Sequence, residues 1–258
     1  MISDKVLEGL PLNDIYIFDV HGHLSGEPKF MTPDSGAEGI VETMDKVGVN
    51  SICVSSMMAL YSKPEKGNEE VIKAAEKYPG RIYGYVSPTP YYDNAGFEKY
   101  FENPDILGIK LHAVIQQTVI DDPRYFFALE IADKKGLPVL VHTWSVDEVK
   151  RVENLAGRYK NANFIIAHSG MLIYRYACVE ACLKNDNVFI DTAASYTFEG
   201  AIEYMVLKIG AEKVLYGSDM AFYDCRQNIG KIGLSKISET DKIKIFGENA
   251  KKIFKLEK

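Results

Sequence analysis

All five histidines of the chain stand where a short apolar run ends, and a further run of the same kind ends at an aspartate. The runs IYIFDVHGH, GIKLH, PVLVH, NFIIAH and KVLYGSD are rich in Ile, Val, Leu and Phe, as strands buried on both faces are. One such histidine alone is often a hydrogen-bonded core residue, but a set at the same end of several strands predicts a metal site. The side chains concerned are those of His21, His23, His112, His142, His168 and Asp219.

Strand-like and helix-like segments alternate along the whole chain. Alternation implies a parallel sheet, and eight such units imply that the sheet closes into a barrel. We therefore predict an α/β fold, a (β/α)8 TIM barrel, that forms one domain over residues 1–258. The strands are expected near 15–20, 50–55, 81–86, 106–111, 138–142, 163–167, 187–191 and 213–216.

A doubly wound open sheet is the main alternative to the barrel. Such a sheet binds its ligand at one switch point, with loops from few strands. The histidines and the aspartate here follow strands one, four, five, six and eight of the predicted series. Only a closed ring brings all those strand ends together, so their distribution favours the barrel.

Four helical segments carry further predictions. Helices are expected to begin at Asp122-Pro123, with Pro in the first helical position, and at Ser145. The segments AGFEKYFE, residues 95–102, and SETDKIKIFGENAKKIFKL, residues 238–256, also have helical patterning.

Charge and composition exclude several classes of partner. The net charge is −6 and no long Lys/Arg run occurs, which argues against nucleic acid or an anionic membrane. No apolar stretch approaches the roughly 20 residues of a membrane span, and the N-terminus lacks an apolar signal core. The four cysteines fit neither a zinc-ribbon nor a disulfide spacing. We expect a cytoplasmic protein that binds a small-molecule substrate, with a homo-oligomer left open.

The strongest candidate ligands lie in the first run. Side chains two apart share a face of a strand, so Asp19, His21 and His23 are expected to point the same way. Gly22 between the two histidines leaves the turn unobstructed. With His142 and Asp219 from other strands, the two histidines form a set of three imidazoles and one carboxylate, which leaves a coordination position for water.

A hydrolytic site also needs a group that moves protons. A bound ion lowers the pKa of its water from 15.7 toward about 7. An unligated imidazole, with a pKa of about 6.5, can then work in both directions. We assign this role to His168, with a second ligand position as the alternative, and expect Asp219 both to hold the ion and to orient the water.

In their order along the chain, these motifs resemble the metal-dependent amidohydrolase superfamily. More narrowly, they resemble its branch that includes aminocarboxymuconate semialdehyde decarboxylase. The segments that carry the resemblance run from about Asp19 to Phe254; they are HGH, GIKLHAVIQQ with the following DDPRY, PVLVHT, AHSG, VLYGSD and GENAKKIF.

The resemblance implies roles for individual residues. His21, His23, His142 and Asp219 would hold one divalent ion, with Zn²⁺ the first expectation and Mn²⁺, Fe²⁺ or Co²⁺ open. His168 would assist the nucleophilic water.

The fourth-strand segment is ambiguous. In some two-metal relatives a carboxylated lysine at the place of Lys110 bridges the ions. The alternative, which we favour, is an amine that pairs with Asp19 or Asp191 inside the barrel. Lys110 and its neighbour His112 are then candidate substrate contacts.

The motifs leave three functions open. The first is hydrolysis of an amide, lactone or ester of a small molecule, which we favour. The second is decarboxylation, which needs a cation to hold the carboxylate; Arg175 or Arg124 could supply it, although Arg175 could equally be an exposed helix residue. The third is a barrel that binds metal or ligand without turnover, or that serves as a subunit in an assembly, against which the presence of His168 argues.

Two features near the predicted site have a functional and a plain interpretation. The segment HLSGEPKFMTPDSG is either a lid or only a connection. A group of aromatic residues would either line a pocket for a planar substrate or simply pack the fold; they are Tyr61, Tyr91, Tyr92, Trp144, Tyr196, Phe222 and Tyr223.

Overall fold

The computed structural model describes residues 1–25, 32, 34–61, 63–169, 174–193 and 198–256. Tyr196 and most of the segment proposed as a lid, 26–31 and 33, lie outside these residues. Eight parallel strands form one sheet in the order of the chain. They are β1 Phe18–Leu24, β2 Ser51–Ser56, β3 Ile82–Val86, β4 Ile106–Leu111, β5 Pro138–Val141, β6 Asn163–Ile166, β7 Val188–Asp191 and β8 Val214–Leu215.

Hydrogen bonds between the first strand and the chain directly after the last strand bring the sheet to closure. The Val20 amide donates to the Tyr216 carbonyl at 2.9 Å, and the Asp219 amide donates to the His21 carbonyl at 2.8 Å. Gly22 forms an isolated parallel bridge with Met220. The (β/α)8 TIM barrel predicted from the sequence is therefore confirmed.

Eleven α-helices lie in the described part of the chain, and none of them is long and apolar enough to cross a membrane. The predicted helix start at Ser145 is confirmed, because its side chain accepts from the Glu148 amide. The helices are α1 Ile2–Leu7, α2 Ala37–Val47, α3 Met57–Tyr61, α4 Pro64–Lys77, α5 Phe126–Lys135, α6 Val146–Arg158, α7 Arg175–Lys184, α8 Ala201–Ile209, α9 Cys225–Gly233, α10 Glu239–Ile243 and α11 Asn249–Ile253.

Two short connectors differ from the predicted helices. The chain after Asp122 first forms a 3-10 turn, Pro123–Tyr125, and only then α5. The segment Phe97–Glu102 is 3-10 throughout. A three-residue turn places Phe97 and Tyr100 next to each other, and their rings meet edge to face at 5.7 Å.

The C-terminal segment is also not one α-helix. A π-helical stretch, Lys244–Glu248, separates α10 from α11. The Ile245 carbonyl accepts at 2.9 Å from the amide of Tyr216, the residue that follows β8, which diverts it from the regular helical ladder. This contact ties the end of the chain to the barrel at β8.

The first strand departs from regular alternation. The register between β1 and β2 shifts between Asp19 and Gly22. As a result Val20 packs in the interior cluster of the barrel, while the adjacent His21 contacts Lys110 and Asp191, which also face the interior. Asp19 instead bonds to Ser218. The prediction that Asp19 shares the face of the two histidines is therefore wrong, because a bulge breaks the two-residue period.

Apolar residues close the barrel on the side opposite the histidines. Phe254, at the end of α11, packs against Phe18 with ring centroids 5.1 Å apart and against Tyr85 at 6.0 Å. Further interior residues of β1 and of four other strands fill the space above them, which leaves the carboxyl ends of the strands as the accessible face; these residues include Val20, Cys53, Leu140, Ile165 and Leu215.

Candidate metal centre

Three of the predicted ligands converge on one point. Nε2 of His21 lies 3.2 Å from Nε2 of His23 and 3.5 Å from Oδ1 of Asp219. The His23 and Asp219 atoms are 3.1 Å apart. Two atoms that bind one ion at about 2.1 Å lie about 3.0 to 3.4 Å from each other in octahedral or tetrahedral geometry. The three side chains therefore fit a shared first-row divalent ion.

Hydrogen bonds to the far side of each ring orient the two histidines. Nδ1 of His21 donates to Oδ2 of Asp191 at 2.8 Å, and all atoms of both side chains are buried. Nδ1 of His23 is 3.1 Å from the Ser55 hydroxyl. A donor hydrogen on Nδ1 leaves the lone pair on Nε2, which is the nitrogen that faces the common point.

His142 and His168 lie beside this cluster and contact each other. Nδ1 of His168 donates to the Ala193 carbonyl, so its Nε2 accepts from Nδ1 of His142 at 3.1 Å. Nε2 of His142 is then a buried lone pair, and it has no hydrogen-bond partner among the described residues. Such an orphaned lone pair fits a metal ligand. The candidate ligand atoms that lie within 4.8 Å of one another are, however, those of His21, His23 and Asp219, and His142 is not among them.

The backbone is strained at two of the predicted functional residues. His168 has φ of 62° and Asp219 has φ of 63°, in the left-handed region that residues other than glycine rarely adopt. Such a conformation costs of order 1–3 kcal/mol and persists where the surroundings impose it. Hydrogen bonds do so here, because the His168 amide donates to Asp191 at 2.8 Å and the Asp219 amide to the His21 carbonyl.

Lys110 lies beneath the cluster and is fully buried. Its Nζ is 3.0 Å from Nε2 of His21. No carboxylate oxygen of the described residues lies within ion-pair distance, so the expected pair with Asp19 or Asp191 is not formed there. The amine instead points at the same lone pair that a metal ion would use.

Burial controls the protonation of the site. It lowers the pKa of His21, His23 and His168 below the usual value of imidazole, which keeps the rings neutral at pH 7. It lowers the pKa of Lys110 to about 8. Burial alone would raise the pKa of Asp219, but the surrounding imidazoles outweigh it, so the pKa of Asp219 is lowered. Neutral imidazoles and an ionised carboxylate are the forms that bind a divalent cation.

Two further carboxyl groups lie behind the site. Burial raises the pKa of Asp191 to about 6 and that of Asp19 to about 7. Asp19 accepts from the backbone amides of His21 and Ser218, each at 3.0 Å. It therefore holds the ends of β1 and β8 together without touching an imidazole.

A cavity of about 270 Å³ opens onto the cluster at the carboxyl ends of the strands. Among its described lining residues there is no Lys or Arg. A larger cavity of about 600 Å³ lies beside it and shares Phe222 and Tyr223, but no histidine lines it, so we place the chemistry in the smaller one. The smaller cavity is lined by His23, Met57, Tyr61, His112, Val114, Ile115, His142, Trp144, His168, Asp219, Phe222 and Tyr223.

The structure brings some of the candidate substrate contacts to this cavity and leaves others outside it. His112 lines it and stacks on His142 with ring centroids 3.7 Å apart. Arg175 lies elsewhere, over the ring of Tyr176 at 4.7 Å. Arg124 forms a surface ion pair with Asp122 at 2.8 Å. Neither arginine lines the cavity, and neither does Lys110.

Sequence reasoning assigned no site role to Ser55 and regarded Asp191 only as a partner of Lys110. Both residues lie at or near the end of a strand, β2 and β7, as the histidines do. Their position at strand ends was the one feature of the sequence that could have indicated a role in the site. Ser and Asp are common at strand ends for other reasons, however, so the signal was weak.

Comparisons with known proteins extend these observations. The family model described as amidohydrolase matches residues 19–256, whereas no curated protein matches the sequence. The fold is similar to that of a 2,6-dihydroxybenzoate decarboxylase complexed with 2,6-dihydroxybenzoate, at 15% identity over 95% of this chain and 99% of that chain, with a TM-score of 0.74.

Two further solved structures have a similar fold. One is a dihydroxybenzoic acid decarboxylase from Polaromonas sp. JS666 with bound manganese and the inhibitor 2-nitroresorcinol, at 16% identity over 95% of this chain and 98% of that chain, with a TM-score of 0.76. The other is a probable 2-pyrone-4,6-dicarboxylic acid hydrolase from Acinetobacter baumannii with citric acid bound, at 14% identity over 93% and 100%, with a TM-score of 0.72.

Proposed function

Since the chain belongs to the amidohydrolase family, as its motifs predicted, we propose that it is a metal-dependent hydrolase that adds water to an amide, lactone or ester carbon of a small molecule. The observation that carries the proposal is the convergence of His21, His23 and Asp219 on one point beside His168. A bound divalent ion would lower the pKa of a water and polarise the carbonyl of the substrate. The remaining requirements fall on the protein.

The first requirement is a base for the attacking water. The bond from Nδ1 of His168 to the Ala193 carbonyl keeps the lone pair on Nε2, which accepts from Nδ1 of His142 in this structure and would exchange that donor for the attacking water. Because burial lowers its pKa, the ring is neutral at pH 7 and starts as an acceptor. Trp144 stacks on it with ring centroids 5.3 Å apart and fixes its plane. His168 can then return the proton to the leaving group.

The second requirement is a ligand set for one ion. We propose that His21, His23, His142 and Asp219 hold it, supported by the three converging atoms and by the orphaned Nε2 of His142. Zn²⁺ suits this set, and Mn²⁺ is the main competitor because a protein of similar fold carries manganese.

Decarboxylation of an unsaturated or aromatic acid is the second candidate. It is favoured by the names of two of the structures with a similar fold. Against it stand Arg124 and Arg175, which are engaged away from the cavity. Release of CO₂ from carboxylated substrates would distinguish this reaction from hydrolysis.

The experiment that tests the proposal combines metal analysis with a substrate screen. About one transition metal per chain, lost in His142→Ala, is expected from plasma mass spectrometry. A screen of lactones, amides and esters with the metal-loaded protein should reveal turnover. His168→Ala should keep the metal and lose about 10²- to 10⁴-fold in kcat, the usual contribution of a general base. A protein that binds no metal after reconstitution, or a His168→Ala variant with full activity, would refute the mechanism.

A further inference from the structure

The mouth of the smaller cavity is apolar although it faces solvent. Tyr61, Val114 and Trp144 line it and are 47%, 54% and 44% exposed. Large apolar side chains that cluster at an opening form the kind of exposed surface that marks a ligand or partner site. Met57 and Ile115 continue this surface inward, toward the histidines.

Aromatic rings also cover the imidazoles of the site. Trp144, from the loop after β5, stacks on His168 with an interplanar angle of 24°. Phe222, from the loop after β8, stacks on His23 at 4.9 Å and 20°. The walls next to the ligand cluster are therefore flat aromatic faces, which favour a planar group beside them.

The charge of the lining residues determines which planar molecules this cavity can accept. Its described lining has one carboxylate, Asp219, and no ammonium or guanidinium group. A carboxylate of the substrate held against this lining, away from the reacting group, would lose part of its hydration and gain no ionic partner among the described lining residues, which is costly. An uncharged ring has no such cost.

The volume limits the size of the molecule. A water molecule occupies about 30 Å³ of liquid, so 270 Å³ corresponds to about nine waters. A ligand with on the order of ten non-hydrogen atoms fills that space, which is one ring with a few substituents.

From these observations we infer that the site takes an uncharged, planar, single-ring substrate, such as a small cyclic ester or amide or an aryl ester, and discriminates against ring acids. The inference rests on the proposed function for the reaction, and it adds the class of substrate. It differs from the dicarboxylic and dihydroxybenzoic acids named for the proteins of similar fold.

Two nearly isosteric probes test the inference by binding alone. 4-Carbamoylbenzohydroxamate and 4-carboxybenzohydroxamate present the same metal-binding group and differ only in the charge of the distal substituent. Protein with one ion per chain is titrated by calorimetry, with benzohydroxamate as reference. The carboxylate should bind about 30-fold more weakly than the amide because its charge is left without a partner. Trp144 is the only tryptophan, so its fluorescence should respond to each bound ring.

A new charge at the mouth supplies the matched variant. Val114→Arg places a guanidinium on the exposed lining without touching the ligand cluster, and should reduce the difference between the probes to less than about fivefold. Leu207→Arg, on the outer face of α8 and 80% exposed, should leave the difference unchanged.

Three outcomes would overturn the inference. They are equal or tighter binding of the carboxylate by the unaltered protein, failure of benzohydroxamate to bind or to change Trp144 fluorescence, and persistence of the full difference in Val114→Arg. Absence of turnover in the substrate screen would refute the proposed hydrolase while leaving the binding preference intact, so the two failures are distinguishable.

Discussion

Substitution of Asp191 by Asn tests whether this carboxylate prepares His21 to bind metal. Oδ2 of Asp191 accepts from Nδ1 of His21 at 2.8 Å, and Oδ1 accepts from the amides of His168 at 2.8 Å and Ala193 at 3.0 Å. An asparagine side chain has only one oxygen, so it cannot accept both from Nδ1 of His21 and from the two backbone amides. If its oxygen serves the two amides, its NH₂ group faces Nδ1 of His21 and shifts the ring hydrogen to Nε2, which removes the metal-binding lone pair. If it turns around, two buried amides lose their acceptor.

The expected loss of metal affinity follows from the first orientation. Removal of the partner that orients a ligating histidine typically costs about 10- to 100-fold in affinity, or about 1.4 to 2.7 kcal/mol. Competition with a chromophoric chelator at pH 7.5 measures the Kd, and chemical denaturation of the metal-free protein measures the change in folding stability. Asp186→Asn, the same substitution at an exposed position before β7, is the control. Asp191→Asn with the Kd of the unaltered protein would refute the claim that this bond orients His21.

Two further predictions concern the buried charges. Lys110→Met should leave one ion per chain and tighten its binding about tenfold at pH 7, because an amine with a pKa of about 8 must lose its proton before the ion takes the His21 lone pair; loss of metal in the variant would instead identify Lys110 as a ligand. The metal-free protein should be less stable at pH 5.5 than at pH 7.5 by chemical denaturation. Burial lowers the pKa of all five histidines in the folded state, so as the pH falls through about 6.5 the unfolded chain takes up protons first and the folded state loses stability. The two buried carboxyl groups act in the opposite direction. Because their pKa values are raised, to about 7 for Asp19 and about 6 for Asp191, the folded state takes up their protons first and gains stability over the same fall in pH. The histidines outweigh the carboxyls by up to about three protons, and equal stability at the two pH values would show that the folded protein protonates its imidazoles.

The fold was predictable because its strands are buried on both faces. Continuous apolar runs such as PVLV and NFII locate β5 and β6 within a residue or two. The first strand begins later than expected and runs through the two histidines, because a bulge lets polar side chains follow Val20 into the interior. Hydrophobic periodicity carries no information about such a bulge. The predicted organisation as one domain stays a prediction, as does any homo-oligomer.

The candidate site was predictable to the extent that its residues lie at or near the carboxyl ends of the predicted strands. That rule places His21, His23, His112, His142, His168 and Asp219 at one face of the barrel. It cannot say which nitrogen of a ring faces the centre, since that depends on partners from other strands such as Asp191 and Ser55. It also cannot say that Arg124 and Arg175 turn away, since a surface arginine takes whatever partner lies near it, here Asp122 and Tyr176.

Asp191 connects the two halves of the proposed mechanism. One of its oxygens sets the ring hydrogen of His21, a candidate ligand, and the other holds the amide of His168, the candidate base, in a left-handed conformation. Without that second bond the strain at His168 would relax and its ring would move relative to the ion position. A single buried carboxylate thus fixes the distance between ligand and base. Asp191→Ala, which removes both oxygens, should consequently lower kcat even at saturating metal, beyond what incomplete loading explains, whereas full recovery of kcat by excess metal would confine the role of Asp191 to the ligand.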